Sequence, residues 1–301
     1  MRADGGAMRL PAVVVNPTRV RGGLDRLRQH CERAAAEHGW APPRMLATSA
    51  GDAGSAAALT AVENGAQLVI CVGGDGTVRA CAEALAGTSV PLAIVPAGSA
   101  NLTARALRVP AGLDAALAAA FGGRDARIDL ATADGIVFAA MAGIGLDAAV
   151  VGATPDAARR LAGWPAYAGA AVGQLLRRPA TFTLRLDGCA PLTRRARAVT
   201  VGNSGALPGG FPILPDARVD DGVLDVLILA PSGLAGWLQV GLRVAVHSRA
   251  ADRQLERHRA HEIEICADEE LPRQIDGEVI TSGRSLTVAI RPGALLVRVP
   301  A

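Results

Sequence analysis

Residues 68–85 read LVICVGGDGTVRACAEAL, in which an apolar run, a glycine-rich turn and an amphipathic run follow one another directly. The run LVICV at 68–72 is continuously apolar, which is typical of a strand buried on both faces of a parallel sheet. After the turn, apolar residues recur at the spacing of one helical face, at Val78, Cys81, Ala82 and Leu85. This spacing predicts a helix that ends near Gly87. The stretch therefore predicts the strand–turn–helix unit of an α/β fold.

The turn, GGDGT at 73–77, has the composition of an anion-binding loop. Its three glycines permit positive φ angles and leave no Cβ in the way of a ligand. Backbone N–H groups beside the positive end of the following helix can then approach a phosphate closely. Asp75 would repel a bound phosphate, so it indicates a metal ion or a transferable proton between them. Because many strand–helix turns need glycine only for geometry, the turn alone leaves phosphate binding and a purely structural role equally open.

The first 130 residues alternate between strand and helix patterns. Strands are predicted at 12–15, 45–48, 68–72, 92–95 and 126–130, and helices are predicted near 24–39, 52–64, 75–87, after Asn101 and at 113–121. Such alternation predicts a parallel sheet with helices on both faces, in which ligands bind at the carboxyl ends of the strands. Unusual loops follow these strands, namely NPTRVRGG at 16–23, GGDGT at 73–77 and PAGSAN at 96–101. We expect these loops to converge on one cleft.

Beyond residue 131 the apolar period changes to two, at 181–188, 259–266 and 285–290, which is typical of half-buried antiparallel strands. The predicted fold class is α/β, with an N-terminal Rossmann-like parallel-sheet domain and a C-terminal antiparallel β-sandwich domain. The predicted boundaries are 8–130 for the nucleotide-binding domain, 131–290 for the β-rich substrate domain and 291–301 for a segment that returns to the first domain.

Two apolar stretches interrupt the β-rich part, at 157–176 and 232–247, and both are more helical than strand-like. Arginines flank the first stretch at Arg159, Arg160, Arg177 and Arg178, and Trp164 and Tyr167 lie within it. This composition suits a helix lying on an acidic bilayer surface. A core helix with solvated arginine ends explains it as well, so both interpretations stay open.

The composition argues against a nucleic-acid partner and indicates the cellular compartment. The net charge is only +3 and aromatic residues make up 3% of the chain, so we expect no nucleic-acid groove or stacking platform. The five cysteines, at 31, 71, 81, 189 and 266, form no CxxC pair, and we interpret them as buried thiols of a reducing compartment. There is no 18-residue apolar stretch and no hydrophobic signal core at 1–7. The expected location is the cytoplasm, with peripheral contact to the inner face of the membrane and a homodimer both compatible with the sequence.

A second turn strengthens the phosphate hypothesis. Pro96, Gly98 and Asn101 again lie between an apolar strand and a helix. They offer another set of backbone donors, with Asn101 expected as the helix cap. Two such loops and the Asn16-Pro17 pair at one sheet edge are hard to explain by folding alone.

Taken together, the motifs resemble the bacterial diacylglycerol kinase-like lipid kinases, a family that includes sphingosine and ceramide kinase catalytic domains and is distantly related to NAD kinase. The resemblance runs from about residue 10 to 300. It rests on NPTRVRGG, GGDGT and the PxGxxN turn, then on GNSGALPGG at 202–210, PDARVDDGVLDV at 215–226 and IDGEV at 275–279. GGDGT is shared with NAD kinase, whereas PDARVDDG and the late DGE are specific to the lipid kinases.

The resemblance implies ATP-dependent phosphorylation of a lipid hydroxyl, with ATP in a cleft between the two domains. Glu278 would accept the proton of the substrate hydroxyl, and Asp75 would serve the metal or that proton. Arg218, Asp221 and Val223 match positions that hold a structural Mg²⁺, largely through backbone oxygens. The ATP-binding positions would be Asn16, Pro17, Thr48, Gly73, Gly74, Asp75, Gly76, Thr77, Val78, Arg79, Gly98, Ser99 and Asn101.

The residues themselves agree with this chemistry, since phosphoryl transfer mainly needs positioning and charge neutralisation. Taken alone, DG at 276–277 and DDG at 220–222 are more typical of plain turns, the first with an exposed Glu278, and only the joint order of the motifs outweighs that interpretation. One departure concerns the acceptor side. The family's second turn continues Asn-Asp-Phe-Ala-Arg, whereas this chain has Leu102-Thr103 in place of Asp-Phe and keeps Arg105.

The leading hypothesis is therefore a kinase of diacylglycerol or a related lipid alcohol, with ATP and Mg²⁺ as cofactors. An NAD kinase-like enzyme is an alternative, although the Thr-Pro-Thr-Gly-Ser-Thr stretch of that family is absent. A nucleotide-binding regulatory protein without turnover is a second alternative, motivated by Leu102-Thr103. An NAD(P) oxidoreductase is weaker, because the glycines do not form GxGxxG.

Overall fold

A computed structural model describes residues 8–20, 22–49, 51–145, 178–205, 213–245 and 253–301. The chain divides into two compact units, Met1–Ile128 with Ala294–Ala301, and Asp129–Gly293. The helix predicted at 157–176 and the end of the GNSGALPGG motif, 206–210, lie outside the described residues.

The first unit is a parallel sheet with helices between its strands. The strands are β1 (Pro11–Val15), β2 (Arg44–Ala47), β3 (Leu68–Gly73), β4 (Leu92–Pro96) and the end of β14 (Glu278–Val299). The helices are α1 (Leu24–Glu37), α2 (Ser55–Glu63), α3 (Asp75–Leu85), α4 (Leu102–Ala106) and α5 (Leu113–Gly122), with a 3₁₀ turn at Pro17–Arg19.

The strand order is β14–β4–β3–β1–β2, and the pairings between neighbours are parallel. Alternate strand residues such as Val13 and Ile70 share a buried cluster with α1 and α5. On the opposite face, Gly54 at the start of α2 lies so close to Val14 and Cys81 that a Cβ there would be 3.3 Å and 3.2 Å from their side chains. The sheet is therefore buried on both faces, which explains why its strands are continuously apolar.

The second unit is built from antiparallel strands. They are β5 (Arg124–Ala133), β6 (Ile136–Phe138), β7 (Met141–Gly145), β8 (Ala180–Leu186), β9 (Leu192–Ala196), β10 (Ala198–Gly202), β11 (Leu224–Leu229), β12 (Leu255–Ala260), β13 (Glu262–Ile275) and the start of β14. A helix, α6 (Gly233–Ala245), lies between β11 and β12. It confirms the helical prediction for the described part of 232–247.

Strand β13 takes part in two sets of pairings. Its first half pairs with β8, and its end pairs with β7 in the order β12–β11–β10–β7–β13–β14. Register shifts interrupt its pairing with β14 between Cys266 and Arg273. Such irregularities bend a strand so that it can pass from one sheet of a sandwich to the other. The residues facing inward, among them Phe182, Val226 and Ile275, form one buried cluster.

The predicted fold class is confirmed, but one predicted strand is wrong. The run at 259–266 is two strands that meet at His261. There the Asp187 carboxylate accepts the N–H groups of His261 and Glu262, both at 2.8 Å. These bonds hold the pKa of Asp187 below its usual value. The chain turns at His261 because its backbone is bonded to a side chain from the β8–β9 turn.

The interpretation of all five cysteines as buried thiols is also wrong. Cys31, Cys71 and Cys81 are buried, whereas Cys189 and Cys266 are exposed. Cys266 follows the inward-facing Ile265 and so points outward, and Cys189 lies in the turn after β8. Burial raises the pKa of the Cys31 thiol to about 12, so this buried thiol is un-ionised. Among the helices of the described ranges, none combines the length and apolar composition needed to span a bilayer.

An ion pair joins the edge strands β9 and β12. Arg194 donates to both oxygens of Glu256, at 2.7 and 3.0 Å, and this contact lowers the pKa of Glu256. Replacing Glu256 by Gln is expected to cost about 0.5–1 kcal/mol of stability near pH 7. Because the pKa of the folded state is depressed, the stabilisation is lost as the pH falls below the ordinary value of about 4.3. Urea titrations of both proteins should therefore differ near neutral pH and converge in acid; a gap that persists in acid would contradict the ion-pair explanation.

Candidate functional site

In the first unit the carboxyl ends of four strands are joined by backbone hydrogen bonds. Thr48 donates to the Val15 carbonyl at 2.9 Å and Asn16 donates to the Val72 carbonyl at 3.1 Å. Next along the sheet, Ala97 donates to the Gly73 carbonyl at 2.8 Å. The loops that follow β1, β2, β3 and β4 therefore begin side by side at one edge. This is the convergence expected of the loops at 16–23, 73–77 and 96–101.

The glycines of the 73–77 turn are needed for close approach and not for backbone conformation. Gly73, Gly74 and Gly76 do not use the positive φ angles that glycine permits. A Cβ on Gly73 would lie 2.7 Å from the Thr77 Cβ, and a Cβ on Gly74 would lie 3.2 Å from the Gly98 Cα. The backbones of the two glycine loops are thus in direct contact at Gly74 and Gly98, and a side chain at either position would prevent this contact.

Helix α3 begins directly in this turn. Its N-cap residue is Gly74, which has no side chain to cap the first turn. The first intrahelical bond closes from the Val78 N–H to the Gly74 carbonyl, at 3.0 Å. The N–H groups of residues 75–77 therefore belong to the first turn of the helix, where the helix dipole favours an anion. This geometry fits a phosphate.

The residue that caps α4 is not the one that the sequence suggested. Asn101 was expected to cap α4, but it makes no side-chain cap bond. Its side chain instead accepts the Gly98 N–H and donates to the Gly98 carbonyl, both at 2.8 Å, while its own φ is +50°. The cap comes from Asp75, whose Oδ1 accepts the Leu102 N–H at 2.7 Å. Asp75 therefore fixes one glycine loop to the other.

The remaining first-unit positions line the same strand ends. The Asn16 side chain accepts the Thr18 N–H at 3.1 Å and the Thr18 hydroxyl at 2.8 Å, with Pro17 between them. Ser99 is exposed at the tip of its turn, whereas Thr48 and Arg79 are half-buried. Leu102 and Thr103, which replace the family's Asp-Phe pair, are both buried, at 2% and 4% exposure.

A substitution at Gly98 tests the packing of the two loops. A Cβ there would lie 2.6 Å from the Gly74 Cα and 2.8 Å from Asn101 Oδ1, so Gly98→Ala must push the loops apart. We expect ATP affinity to fall about tenfold or more, since misplaced donors lose much of their binding energy. Calorimetric titration with an ATP analogue measures this. Gly112→Ala is the matched control, because nothing lies within 4 Å of its Cβ position and its φ is −78°; equal affinities of the two variants would contradict the packing argument.

In the second unit, Glu278 is exposed at the start of β14, directly after a two-residue hairpin turn. Ile275 pairs with Glu278 across the turn, and Asp276 and Gly277 have φ angles of +48° and +77°. Both positive angles are typical of a type I′ turn. DG at 276–277 is thus a hairpin turn that presents Glu278 to solvent.

The RVDDGV loop is held from β5. The Asp129 carboxylate accepts the Gly222 and Gly293 N–H groups, each at 2.7 Å, and the Asp129 N–H donates to the Val219 carbonyl at 2.7 Å. Asp129 is only 3% exposed. Within the loop, Asp221 forms an ion pair with Arg259 and accepts the Val223 N–H at 3.4 Å. The guanidinium of Arg218 donates to Asp220 at 3.1 Å.

Asp220 and Asp221 of this loop are paired with arginines, but a carboxylate oxygen beside the loop is not. Asp225 Oδ2 is buried without a hydrogen-bond partner among the described residues. Burial raises the pKa of Asp225 to about 6; Arg259 and Arg257 oppose this shift, and Asp221 and Asp216 add to it. Carboxylate and carbonyl oxygens are the ligands that Mg²⁺ prefers. Within the described ranges no cluster of three His, Cys, Asp or Glu side chains is arranged to hold a metal, so backbone oxygens would have to contribute.

Three buried polar residues of this unit, Asp129, Asn203 and Asp276, had no role predicted from the sequence, although Asn203 and Asp276 lie in the motifs at 202–210 and 275–279. The Asn203 amide donates to the carbonyls of Asp129 and Ala139, at 2.9 and 3.0 Å. All three lie within or beside apolar strands, and buried polar side chains in such places need partners. The position of these polar residues within or beside apolar strands was visible in the sequence, but the groups that they bond to were not.

Two family models match the chain. The model described as diacylglycerol kinase catalytic domain matches residues 11–133, and the YegS C-terminal NAD kinase beta sandwich-like domain matches residues 140–299. A protein named "Probable lipid kinase YegS-like" from Pseudomonas aeruginosa (strain UCBPP-PA14) is 35% identical over 248 residues, which are 80% of this chain and 79% of that protein. The chain belongs to the YegS-like lipid kinase family. A member from Yersinia enterocolitica serotype O:8 is 30% identical over 255 residues, 81% of each chain.

Solved structures share the fold of this chain. A crystal structure of a diacylglycerol kinase from Bacillus anthracis str. Sterne has a TM-score of 0.73 at 22% identity and covers 97% of this chain and 96% of that one. An NAD kinase from Archaeoglobus fulgidus in complex with ATP has a TM-score of 0.52 at 13% identity, covering 96% and 93%. The resemblance to the lipid kinase family is confirmed, and the NAD kinase likeness extends to the fold alone.

Proposed function

We propose that the chain is an ATP-dependent kinase that phosphorylates a hydroxyl of diacylglycerol or a related lipid. The observation that carries the proposal is the backbone packing of Gly74 against Gly98 at the strand ends, beside the glycine-capped start of α3. Two loops packed this closely leave N–H groups that a chain of phosphates can reach. The family, whose relatives are named lipid kinases, supports a lipid as the acceptor.

In the proposed reaction the lipid hydroxyl oxygen attacks the γ-phosphorus of ATP. The bond to the bridging oxygen breaks, ADP leaves, and the hydroxyl proton passes to the Glu278 carboxylate. A hydroxyl is a poor nucleophile, so a carboxylate within hydrogen-bond reach assists the attack. The exposure of Glu278 at a tight turn supports this role, because a substrate can approach an exposed residue.

We propose ATP and Mg²⁺ as the cofactors. We also propose that Asp75 and the RVDDGV loop contribute to binding them. Arg218, Asp221 and Val223 would hold a cation through oxygen ligands, and the buried carboxylate of Asp225 favours positive charge there. A separate Mg²⁺ bound to ATP would supply the charge neutralisation that phosphoryl transfer needs. Asp75 holds the two glycine loops together through Leu102, and its charge would serve the ATP-bound metal or the acceptor proton. The proposal includes contact with a membrane surface and is compatible with a homodimer.

Two alternatives have specific support. The NAD kinase fold favours an NAD kinase-like enzyme, although the relatives at 30–35% identity are named lipid kinases. The buried Leu102-Thr103 pair favours a nucleotide-binding protein without turnover, because it removes a carboxylate that the family pattern has at this turn.

The test is transfer of label from γ-labelled ATP with Mg²⁺ to diacylglycerol, monoacylglycerol, sphingosine, ceramide and phosphatidylglycerol in mixed micelles, with NAD in parallel. Label in one lipid is the expected result and identifies the acceptor. Label in NAD alone would favour the first alternative, and ATP binding without transfer to any acceptor would favour the second.

A further inference from the structure

The Asp276 carboxylate fixes the segment that leads from β6 into β7 to the hairpin that carries Glu278. Its Oδ1 accepts the N–H groups of Ala140 and Met141 at 2.9 and 3.0 Å, and its Oδ2 accepts that of Ala139 at 3.2 Å. The Asp276 N–H in turn donates to the Met141 carbonyl at 2.8 Å. One side chain, 3% exposed, therefore engages three consecutive backbone donors.

The turn is also held from its other side. The Gly277 N–H donates to Gln274 Oε1 at 2.9 Å, and Gln274 is 2% exposed. The side chains before and within the turn are thus buried and bonded, whereas Glu278, the next residue, is exposed. Because the turn beneath the exposed Glu278 carboxylate is buried and held by hydrogen bonds, it limits the positions that this carboxylate can reach.

Turn geometry alone does not explain this aspartate. Asp134 and Asp187 precede glycine in the same unit and have the same φ of +48°. The Asp187 side chain is 41% exposed and accepts two N–H groups, so an Asp-Gly turn forms without deep burial. A buried carboxylate with three donors is held more strongly than the turn needs, since hydrogen bonds to a charged acceptor are roughly twice as strong as neutral ones.

We propose that Asp276 is a positioning residue for Glu278, acting through the 139–141 backbone. The inference rests on the proposed function, because it assumes that Glu278 accepts the proton of the substrate hydroxyl. Asp276 touches neither substrate; it sets the place of the turn, and with it the distance from the Glu278 carboxylate to the acceptor oxygen.

Asp276→Asn is the informative variant. Asparagine has nearly the same shape and tolerates positive φ, but its Nδ2 would face the Ala139 N–H, so that one donor meets another. We expect kcat to fall about tenfold to a hundredfold, as a misplaced catalytic group does, with the KM for ATP within about twofold because the glycine loops are unchanged. Asp187→Asn is the matched control, because it makes the same exchange at another aspartate that precedes glycine and has the same φ, and it should keep kcat.

Hydrogen–deuterium exchange of the peptide spanning residues 274–280 provides a readout independent of activity. Exchange should accelerate in Asp276→Asn and stay unchanged in Asp187→Asn, both measured below their melting temperatures. A kcat loss of equal size in both variants would reduce Asp276 to a stability role and overturn the proposal, as would unchanged exchange at 274–280.

Glu278→Gln separates this inference from the proposed function. If Glu278→Gln is inactive while Asp276→Asn keeps both kcat and exchange, the positioning role fails and the function stands. An active Glu278→Gln would refute the proton-acceptor role, and with it the positioning of that group by Asp276. In the Asp276→Asn background, Glu278→Gln should add much less loss than it does in the wild type, since a displaced base has less to contribute.

Discussion

Glu278→Gln is expected to lower kcat roughly a hundredfold or more, the range for removing a general base. Glutamine keeps the size of the side chain but cannot take the hydroxyl proton. Because Glu278 is exposed at the start of β14, the substitution should leave the melting temperature unchanged. ATP binding should also survive, since the glycine loops belong to the other unit. Initial rates of lipid phosphorylation at saturating ATP measure the effect.

Glu270→Gln is the control for Glu278→Gln. Glu270 is also exposed and lies on β13, outside the hairpin turn, so the same loss of charge should leave kcat within about twofold of the wild type. A Glu278→Gln enzyme that retains wild-type kcat would remove Glu278 from the mechanism. The lipid kinase assignment would then need another proton acceptor.

Asp75→Asn should abolish transfer while the fold and ATP binding survive. Its side-chain oxygen can still accept the Leu102 N–H, which Asp75 Oδ1 accepts at 2.7 Å, so the two glycine loops stay joined. What is lost is the negative charge, which the proposed mechanism uses for the metal or the acceptor proton. We expect a fall in kcat of about a hundredfold or more, with the Kd for ATP changed only a few-fold.

Asp75→Ala separates the charge from the cap. It removes the carboxylate and also leaves the Leu102 N–H without its acceptor oxygen, so ATP affinity should fall in addition to kcat. Titration with ATP and a transfer assay on both variants distinguish the two effects. Wild-type activity in Asp75→Asn would refute the catalytic role and leave Asp75 only as the residue that joins the loops.

Much of the first unit could be predicted because its signals are local. The apolar run at 68–72 became β3, and the spacing from Val78 to Leu85 became α3. The convergence of the loops followed from parallel strands alone, since their carboxyl ends meet at one edge. Predicting the fold and the family therefore did not require knowledge of any particular contact between side chains.

Contacts between distant residues could not be predicted. Asn101 bonds to Gly98, and Asp75 caps α4. These contacts depend on two loops whose residues Asp75 and Asn101 are 26 positions apart in sequence. Likewise, His261 interrupts a regular strand pattern because Asp187 binds its backbone. Hydrophobic periodicity carries no information about such side-chain to backbone bonds.

The fold class, the order of the motifs and the lipid kinase family follow from the amino-acid sequence, because they depend on apolar periodicity and on residue types at fixed spacing. The folded structure explains why particular residues are needed. Gly74 and Gly98 allow a backbone contact that a Cβ would block, Asp75 caps the helix after another loop, and Asp276 is a buried acceptor for 139–141. The physical reason is that steric exclusion and hydrogen bonding act between atoms that the folded backbone brings together, whatever their separation along the chain.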